Sequence, residues 1–140
     1  MSSLASKQLA NAHAYLKYLR TDSLDWDAFA DLLAPDFEQK YLPASMAPPA
    51  GKFTRTKEEN VEFLKTAWET WANFQLLPPI EVIQGTDVVV IHIQSDGTPK
   101  DDSRKQYNNE YILIFRFAGE KIASLGEFVD SKYTAEYFGH

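Results

Sequence analysis

The chain has 140 residues, of which 44% are apolar and 24% are charged, a balance typical of one folded domain over residues 1–140. There are 14 Lys and Arg against 20 Asp and Glu, so the formal net charge is −6, and the longest basic run is Arg104-Lys105. A surface that follows nucleic acid phosphates is therefore poorly supported.

The chain contains no cysteine, which excludes disulfides, zinc thiolate sites, iron–sulfur clusters and a cysteine nucleophile. Its histidines, His13, His92 and His140, are too scattered to suggest a metal cage. We therefore expect neither a metal nor another cofactor. The N-terminus lacks the apolar stretch of a signal peptide, and no segment approaches the roughly 20 apolar residues of a membrane span. The sequence predicts a cytoplasmic protein that binds no membrane.

Two helices are predicted at the start of the chain. In residues 4–20, apolar residues recur every three or four positions and so fall on one helical face. They are Leu9, Ala12, Leu16 and Leu19. A short second helix is predicted over residues 24–33, and Pro35 stops it because the residue before a proline avoids helical geometry.

A third helix is predicted to begin at Thr56, because Thr56 and Glu59 have the spacing of a capping box. The capping box explains the acidic residue at position 59 without a catalytic role, so we expect at most a minor binding role for Glu59. The apolar stripe of this helix is predicted to be Val61, Leu64, Trp68 and Trp71. The helix is predicted to end at Pro78-Pro79.

From Ile80 onward, the pattern becomes typical of β-strands. Four strands in antiparallel meander order are predicted over residues 80–84, 88–94, 107–117 and 121–130. A short strand is also predicted over residues 37–42, followed by a proline-rich loop over residues 43–51 that has the character of a lid. Asp130 precedes a final helical turn and is predicted to be its N-cap.

The predicted fold class is α+β, with a curved antiparallel sheet packed against three N-terminal helices. A sheet that curls around a helical layer forms a cone, and its apolar mouth is a natural site for a small molecule. The sequence has no phosphate-binding glycine loop, no G-x-S-x-G elbow and no H-E-x-x-H helix. Nucleotide hydrolysis, α/β-hydrolase chemistry and zinc proteolysis are therefore unsupported.

Three segments carry a resemblance to a known family. They are APDFEQKYLPAS at residues 34–45, YNNEYI at residues 107–112 and GEFVDS at residues 126–131. With the order of the elements, they resemble the fungal SnoaL-like proteins of the nuclear-transport-factor-2-like (NTF2-like) superfamily, over nearly the whole chain. The resemblance implies a cone-shaped fold that hosts isomerases, polyketide cyclases, dehydratases and non-catalytic binding proteins.

The resemblance implies a cofactor-independent isomerase or cyclase acting on an apolar, oxygenated intermediate of secondary metabolism. Lys40 or Tyr41 stands where ketosteroid isomerases have their aspartate base, so that enzyme's proton shuttle is not carried over. Relatives with isomerase or cyclase activity have a glutamate at the position of Glu127, beside two tyrosines. Glu127 is thus the expected acid–base group; the alternative is a solvated sheet carboxylate paired with a lysine.

The strand from Tyr107 is predicted to present Tyr107, Asn109 and Tyr111 to the cavity, because alternate strand residues share a face. The two phenols would hold a carbonyl or hydroxyl and Asn109 would adjust the hydrogen bonding, although ordinary sheet packing explains the tyrosines equally well. Glu127 in such a cavity would have a raised pKa and could exchange a proton near neutral pH.

Four further residues are predicted to belong to the site. Lys40, where relatives often have arginine, would stabilise negative charge, the alternative being a surface lysine. His92 would contact substrate, the alternative being a buried histidine with satisfied hydrogen bonds. Tyr15 and Trp68 would close the roof of the cavity.

The second function class is a non-catalytic small-molecule-binding or dimerisation module of the same fold. Ile112, Ile114 and Phe128 are predicted on the outer face of the sheet, where they would suit a homodimer interface. The two classes differ in the interior. A void that meets Glu127, Tyr107 and Tyr111 favours an enzyme, whereas an interior filled by Trp68 and Phe74 favours a scaffold.

Overall fold

A computed structural model describes residues 3–22, 25–46 and 54–139. Within them lie four helices and seven strands. In chain order they are α1 (Leu4–Tyr18), α2 (Trp26–Asp31), β1 (Leu33–Leu42), β2 (Thr54–Thr56), α3 (Lys57–Trp68), β3 (Trp71–Leu76), β4 (Glu81–Gly85), β5 (Val88–Pro99), β6 (Glu110–Ala118), β7 (Lys121–Val129) and α4 (Ser131–Phe138). The predicted lid falls largely on residues 47–53, which lie outside the described residues.

The strands form one curled sheet, and the predicted α+β class is confirmed. The strand order is β2-β1-β7-β6-β5-β3, with β4 also paired to β5. The meander β4-β5-β6-β7 is antiparallel, as predicted. β1, however, pairs with β7 in parallel, so the sheet is mixed. Side chains of one face of the sheet, together with α1 and α2, form the main core.

Local sequence signals set the ends of several helices. α3 begins with the predicted capping box, in which Thr56 Oγ1 accepts from the N–H of Glu59 and the Glu59 carboxylate accepts from the N–H of Thr56. Asp130 is the N-cap of α4 and accepts from the N–H of Tyr133. α1 and α2 are each shorter than predicted, ending at Tyr18 and Asp31.

The predicted extension of α3 to Pro78 is wrong. α3 ends at Trp68, and Trp71 begins β3, which pairs with the far end of β5. There Trp71 and Phe74 are buried against Gly97, where even a Cβ would lie 3.1 Å from the Phe74 ring. The three-residue spacing of Trp68 and Trp71 fits a helical face, but Trp71 is held by strand pairing at this close approach instead. Tyr107 likewise lies before β6, joined to Gly97 by an isolated bridge.

One irregularity in β7 determines which of its residues face the core. Phe117 pairs with Ile122, but Arg116 pairs with Ser124, so Ala123 is an extra residue in β7. Ile122 and Leu125 are both buried as a result, although they are three residues apart. None of the helices in the described residues has the length and apolar character needed to cross a membrane.

We expect Thr56→Ala to lower the free energy of unfolding by about 1 kcal/mol, because it removes the oxygen that caps α3. Equilibrium denaturation with urea measures the change. Thr54→Ala is the matched control, since Thr54 is exposed on the same short strand and caps no helix. An equal effect of both substitutions would contradict the assigned role of the cap.

Candidate functional site

A cavity of about 350 Å³ lies between the concave face of the sheet, α3 and α4. Most of its lining is apolar. Trp68 and Phe74 line the cavity without filling it, and the void reaches Glu127, Tyr107 and Tyr111. This is the arrangement that distinguishes a small-molecule site from a scaffold with a solid interior.

Glu127 enters the cavity from β7, and most of its neighbours in the sheet are apolar. It pairs with Leu113 of β6 and with Tyr41 of β1, while Leu125 and Val129 flank it on its own strand. Burial in these surroundings raises the pKa of the Glu127 carboxyl, and the positive charge of Arg55 opposes the shift. No described residue makes a hydrogen bond to this carboxyl. Glu127 is thus able to hold or release a proton nearer to neutral pH than an ordinary glutamate.

The two predicted phenols stand beside Glu127 in a buried hydrogen-bond network. Asn109 Nδ2 donates to Tyr107 Oη at 2.7 Å, and Tyr111 Oη donates to Ser95 Oγ at 3.0 Å. Burial raises the pKa of both phenols, and for Tyr107 the hydrogen bond from Asn109 opposes that shift. Tyr107 Oη accepts from Asn109 and also forms a hydrogen bond with the Tyr111 hydroxyl, so the two phenols are coupled beside Glu127.

Asn109 supports the site from behind rather than lining the cavity. The same Nδ2 that donates to Tyr107 also donates to Thr134 Oγ1 at 2.9 Å, and Thr134 in turn donates to the carbonyl of Asp130 at 2.8 Å. Asp130 is the N-cap of α4. Asn109 therefore connects the orientation of Tyr107 to the start of the helix that forms one wall of the cavity.

Two more tyrosines line the cavity. Tyr15 of α1 lies in the roof, as predicted, and its oxygen accepts from Asn60 Nδ2 at 3.2 Å. Tyr41 of β1 faces the cavity as the register neighbour of Glu127. Burial raises the pKa of both hydroxyls above the ordinary phenol value. The cavity thus combines four phenols with a single carboxyl group.

The cation of the site is Arg55, which sequence reasoning missed. Arg55 occupies the middle of β2 between two exposed threonines and is 8% exposed. Its guanidinium lies 3.8 Å from the centre of the Phe63 ring. Burial lowers its pKa, whereas the Glu127 charge raises it. The only sequence signal is an arginine alternating with threonines in a three-residue strand, too short a pattern to assign a face.

The prediction that Lys40 supplies this charge is corrected by the structure. Lys40 is exposed and lies 3.9 Å from the Glu38 carboxylate. Its register partner is Gly126, whereas Tyr41 pairs with Glu127. Since adjacent strand residues face opposite ways, Tyr41 points into the cavity and Lys40 points away from it.

His92 and Glu59 also need correction. His92 lies on the outer face of the sheet, where Nε2 contacts the Glu110 carboxylate, and is not part of the cavity lining. It alternates with the buried Ile91 and Ile93, which explains its outward direction. Glu59 is held in the capping box, does not line the cavity, and its charge raises the pKa of Arg55. Trp68 lines the cavity at the place expected of it.

The SnoaL-like domain family matches residues 12–125 of this sequence. The chain belongs to this family. The matched range contains the strand segments that carry Arg55, Tyr107 and Tyr111, but it ends two residues before Glu127. No curated protein matches the sequence of this SnoaL-like chain.

Solved structures similar to this SnoaL-like chain include three fungal proteins. BvnE pinacolase from Penicillium brevicompactum shares 22% identity over 98% of this chain and 95% of that chain, with a TM-score of 0.80. PrhC from Penicillium brasilianum shares 14% identity over 98% and 89% of the two chains, with a TM-score of 0.81. AusH from Aspergillus nidulans shares 23% identity over 89% and 84%, with a TM-score of 0.71. At these identities the similarity establishes the fold.

The raised pKa of Glu127 has a consequence for stability that can be measured. The folded protein keeps this proton at pH values where the unfolded chain has lost it, so the unfolding free energy falls as pH rises from the ordinary glutamate pKa through the raised one. We expect Glu127→Gln, which cannot ionise, to be more stable than the parent protein near neutral pH, and to lose this advantage below about pH 4.

Urea denaturation at a series of pH values measures this difference. Glu120→Gln is the matched control, because Glu120 is exposed in the turn before β7 and pairs with Lys7 at the surface. If Glu127→Gln and the parent protein show the same pH dependence, Glu127 is not held in an apolar environment.

Proposed function

We propose that this protein is a cofactor-independent isomerase or cyclase that uses acid–base catalysis on an apolar, oxygenated small molecule. The observation that carries the proposal is the isolated Glu127 carboxyl, facing a largely apolar cavity beside the hydroxyls of Tyr107 and Tyr111. A proton-transfer group with a pKa nearer to neutrality, next to donors that can hold an oxygen, is what enolisation or ring closure requires.

In this mechanism Glu127 removes a proton from carbon next to a substrate carbonyl and returns it at another atom. Tyr107 donates to the carbonyl oxygen, where negative charge develops as the carbon–hydrogen bond breaks. Tyr111, whose own proton is directed to Ser95, holds the wall of the cavity and offers its oxygen as an acceptor. The positive charge of Arg55 stabilises the enolate.

The proposal includes the substrate class and setting. Because the cavity lining is mainly apolar and aromatic, a fused-ring intermediate of secondary metabolism fits it better than a sugar or a nucleotide. The similarity to structures from Aspergillus and Penicillium, one of them described as a pinacolase, supports a fungal source and this type of pathway. A cytoplasmic location remains a prediction from the sequence.

Exchange of hydrogen for deuterium next to a ketone tests the proton transfer without knowledge of the natural substrate. With 2-tetralone in deuterated buffer, we expect the protein to accelerate exchange above the buffer rate. Glu127→Gln should reduce the protein-dependent rate by about 100-fold or more, because glutamine cannot accept the proton. Mass spectrometry or proton NMR measures the rate.

The affinity of the Glu127→Gln variant for 2-tetralone, measured by calorimetry, should remain close to that of the parent protein. Glu120→Gln is again the control and should exchange at the parent rate. Exchange that survives Glu127→Gln would refute the role of Glu127. Bound ketone that the parent protein does not exchange would refute catalysis of this kind and favour the binding-module function.

A second role is suggested by the outer face of the sheet. Two cross-strand rows present apolar residues there, Ile83–Val90–Ile114 in one and Ile112–Phe128 in the other. Phe128 is 45% exposed and Ile83 is 56% exposed, and apolar side chains grouped in this way are typical of subunit contacts. We propose that these five residues, the outer patch, form a homodimer interface.

Sedimentation velocity tests the dimer. The parent protein is expected to sediment as a dimer and Phe128→Glu as a monomer, since the substitution places a charge in an apolar contact. Leu4→Glu introduces the same charge at an exposed apolar residue in the first turn of α1 and should leave the dimer intact. A monomeric parent protein, or a dimeric Phe128→Glu variant, would refute the interface.

A further inference from the structure

Two polar groups of the cavity lining are hydrogen-bond donors without acceptors. Arg55 Nε and Trp68 Nε1 are both buried, and neither has a hydrogen-bond partner among the residues that the structure describes. Buried donors without a partner are uncommon, because each loses its bonds to water and gains nothing in return. Two of them in the lining of one cavity indicate that a bound molecule supplies the acceptors.

The Tyr15 hydroxyl adds to these donors. Its oxygen accepts from Asn60 and no described residue accepts its proton, which remains available to a ligand. Glu127 is the one acidic side chain in the lining that the structure describes. A molecule that satisfies this cavity therefore carries acceptor oxygens at the end that meets Arg55.

The charge of the cavity points in the same direction. Arg55 and Glu127 influence each other electrostatically but form no direct ion pair. Glu59 of α3 also acts on Arg55, while its carboxylate is engaged by the N–H of Thr56. Whenever Glu127 carries its proton, no carboxylate of the cavity lining balances the guanidinium. A buried cation in this state attracts an anion.

The Arg55 guanidinium is oriented by its stacking. Its face packs on the Phe63 ring, and Nε, on the nitrogen edge, has no hydrogen-bond partner among the described residues. A guanidinium edge binds the two oxygens of a carboxylate, or of an ionised 1,3-dicarbonyl, through two parallel hydrogen bonds.

We propose that Arg55 is the binding site for a negatively charged oxygen group, a carboxylate or an ionised 1,3-dicarbonyl, on an otherwise apolar ring molecule. The inference rests on the proposed function in that both use this cavity as the ligand site. It narrows the substrate from a neutral ketone to an acidic one, and it gives Arg55 a role in specificity apart from proton transfer by Glu127.

Binding of matched probes by calorimetry tests the assignment. The carboxylate probe is naphthalene-2-carboxylate and its neutral counterpart is naphthalene-2-carboxamide. The ionised dicarbonyl probe is 2-acetylcyclohexane-1,3-dione, compared with its methyl enol ether. Arg55→Met removes the charge and keeps the length of the side chain. Arg55→Lys keeps the charge but lacks the two parallel donors of the guanidinium edge. Arg116→Met is the control, because Arg116 is exposed on β6.

We expect at least one anionic probe to bind the parent protein about tenfold or more tightly than its neutral counterpart, and Arg55→Met to abolish that preference. Arg55→Lys should retain part of it and Arg116→Met all of it. Glu127→Gln should strengthen anion binding, because it removes the competing negative charge, an effect that a purely structural arginine would not produce. The two probe pairs separate a carboxylate site from a dicarbonyl site.

The inference fails if the parent protein has no preference for either anion, or if Arg55→Met keeps the preference while circular dichroism shows a folded variant. An equal loss of affinity for the anionic and neutral probes in that folded variant would also overturn the inference, since Arg55 would then only shape the cavity. These measurements use binding and the exchange assay uses turnover, so either proposal can fail while the other stands.

Discussion

The low polarity around the Glu127 carboxyl is the constraint on which the rest of the site depends. A carboxylate in such surroundings is costly, because it exchanges water for Leu113, Leu125 and Val129. The fold tolerates this cost for two reasons: the group can hold its proton, and Arg55 lies near enough to favour the ionised form without pairing with it. Burial raises the pKa of Glu127, and the charge of Arg55 lowers it. Together they keep both protonation states accessible, as an acid–base group requires.

Around this carboxyl, the hydrogen bonds of the phenols are arranged by three polar side chains, of which only Thr134 lines the cavity. Ser95 on β5, Asn109 before β6 and Thr134 on α4 join three separate parts of the chain. The direction of each bond decides which phenol can still donate, and so the network gives Tyr107 and Tyr111 different roles. An apolar cavity accepts many ring shapes, whereas fixed donors accept few arrangements of oxygens. Under the proposed function, selectivity therefore comes from the polar minority of the lining.

Much of the architecture could be predicted from local pattern, and the failures have identifiable physical causes. The capping box at Thr56 follows from its spacing, and the buried face of residues 107–117 follows from alternation that continues from the isolated bridge at Tyr107 into β6. The prediction that α3 continues through Trp71 failed because the three-residue spacing of Trp68 and Trp71 also suits a helix. Only the pairing of β3 with the distant segment around Gly97 decides for a strand. The prediction for Lys40 failed because it rests on resemblance to relatives with arginine, whereas in this chain the register of β1 against β7 pairs Tyr41, not Lys40, with Glu127. Arg55 lies in a strand too short to show any period.

Because Ala123 is an extra residue in β7, a deletion or insertion at this point would change which side chains face the cavity. Side chains beyond Ala123 face inward or outward according to whether the count from Ile122 is odd or even. Loss of that one residue would reverse the parity, so that Phe128 would enter the hollow and Glu127 would meet solvent. A one-codon deletion could thus remove the acid while leaving every remaining side chain unaltered, and an insertion could restore it. The length of this one strand segment thus decides which β7 side chain the cavity receives.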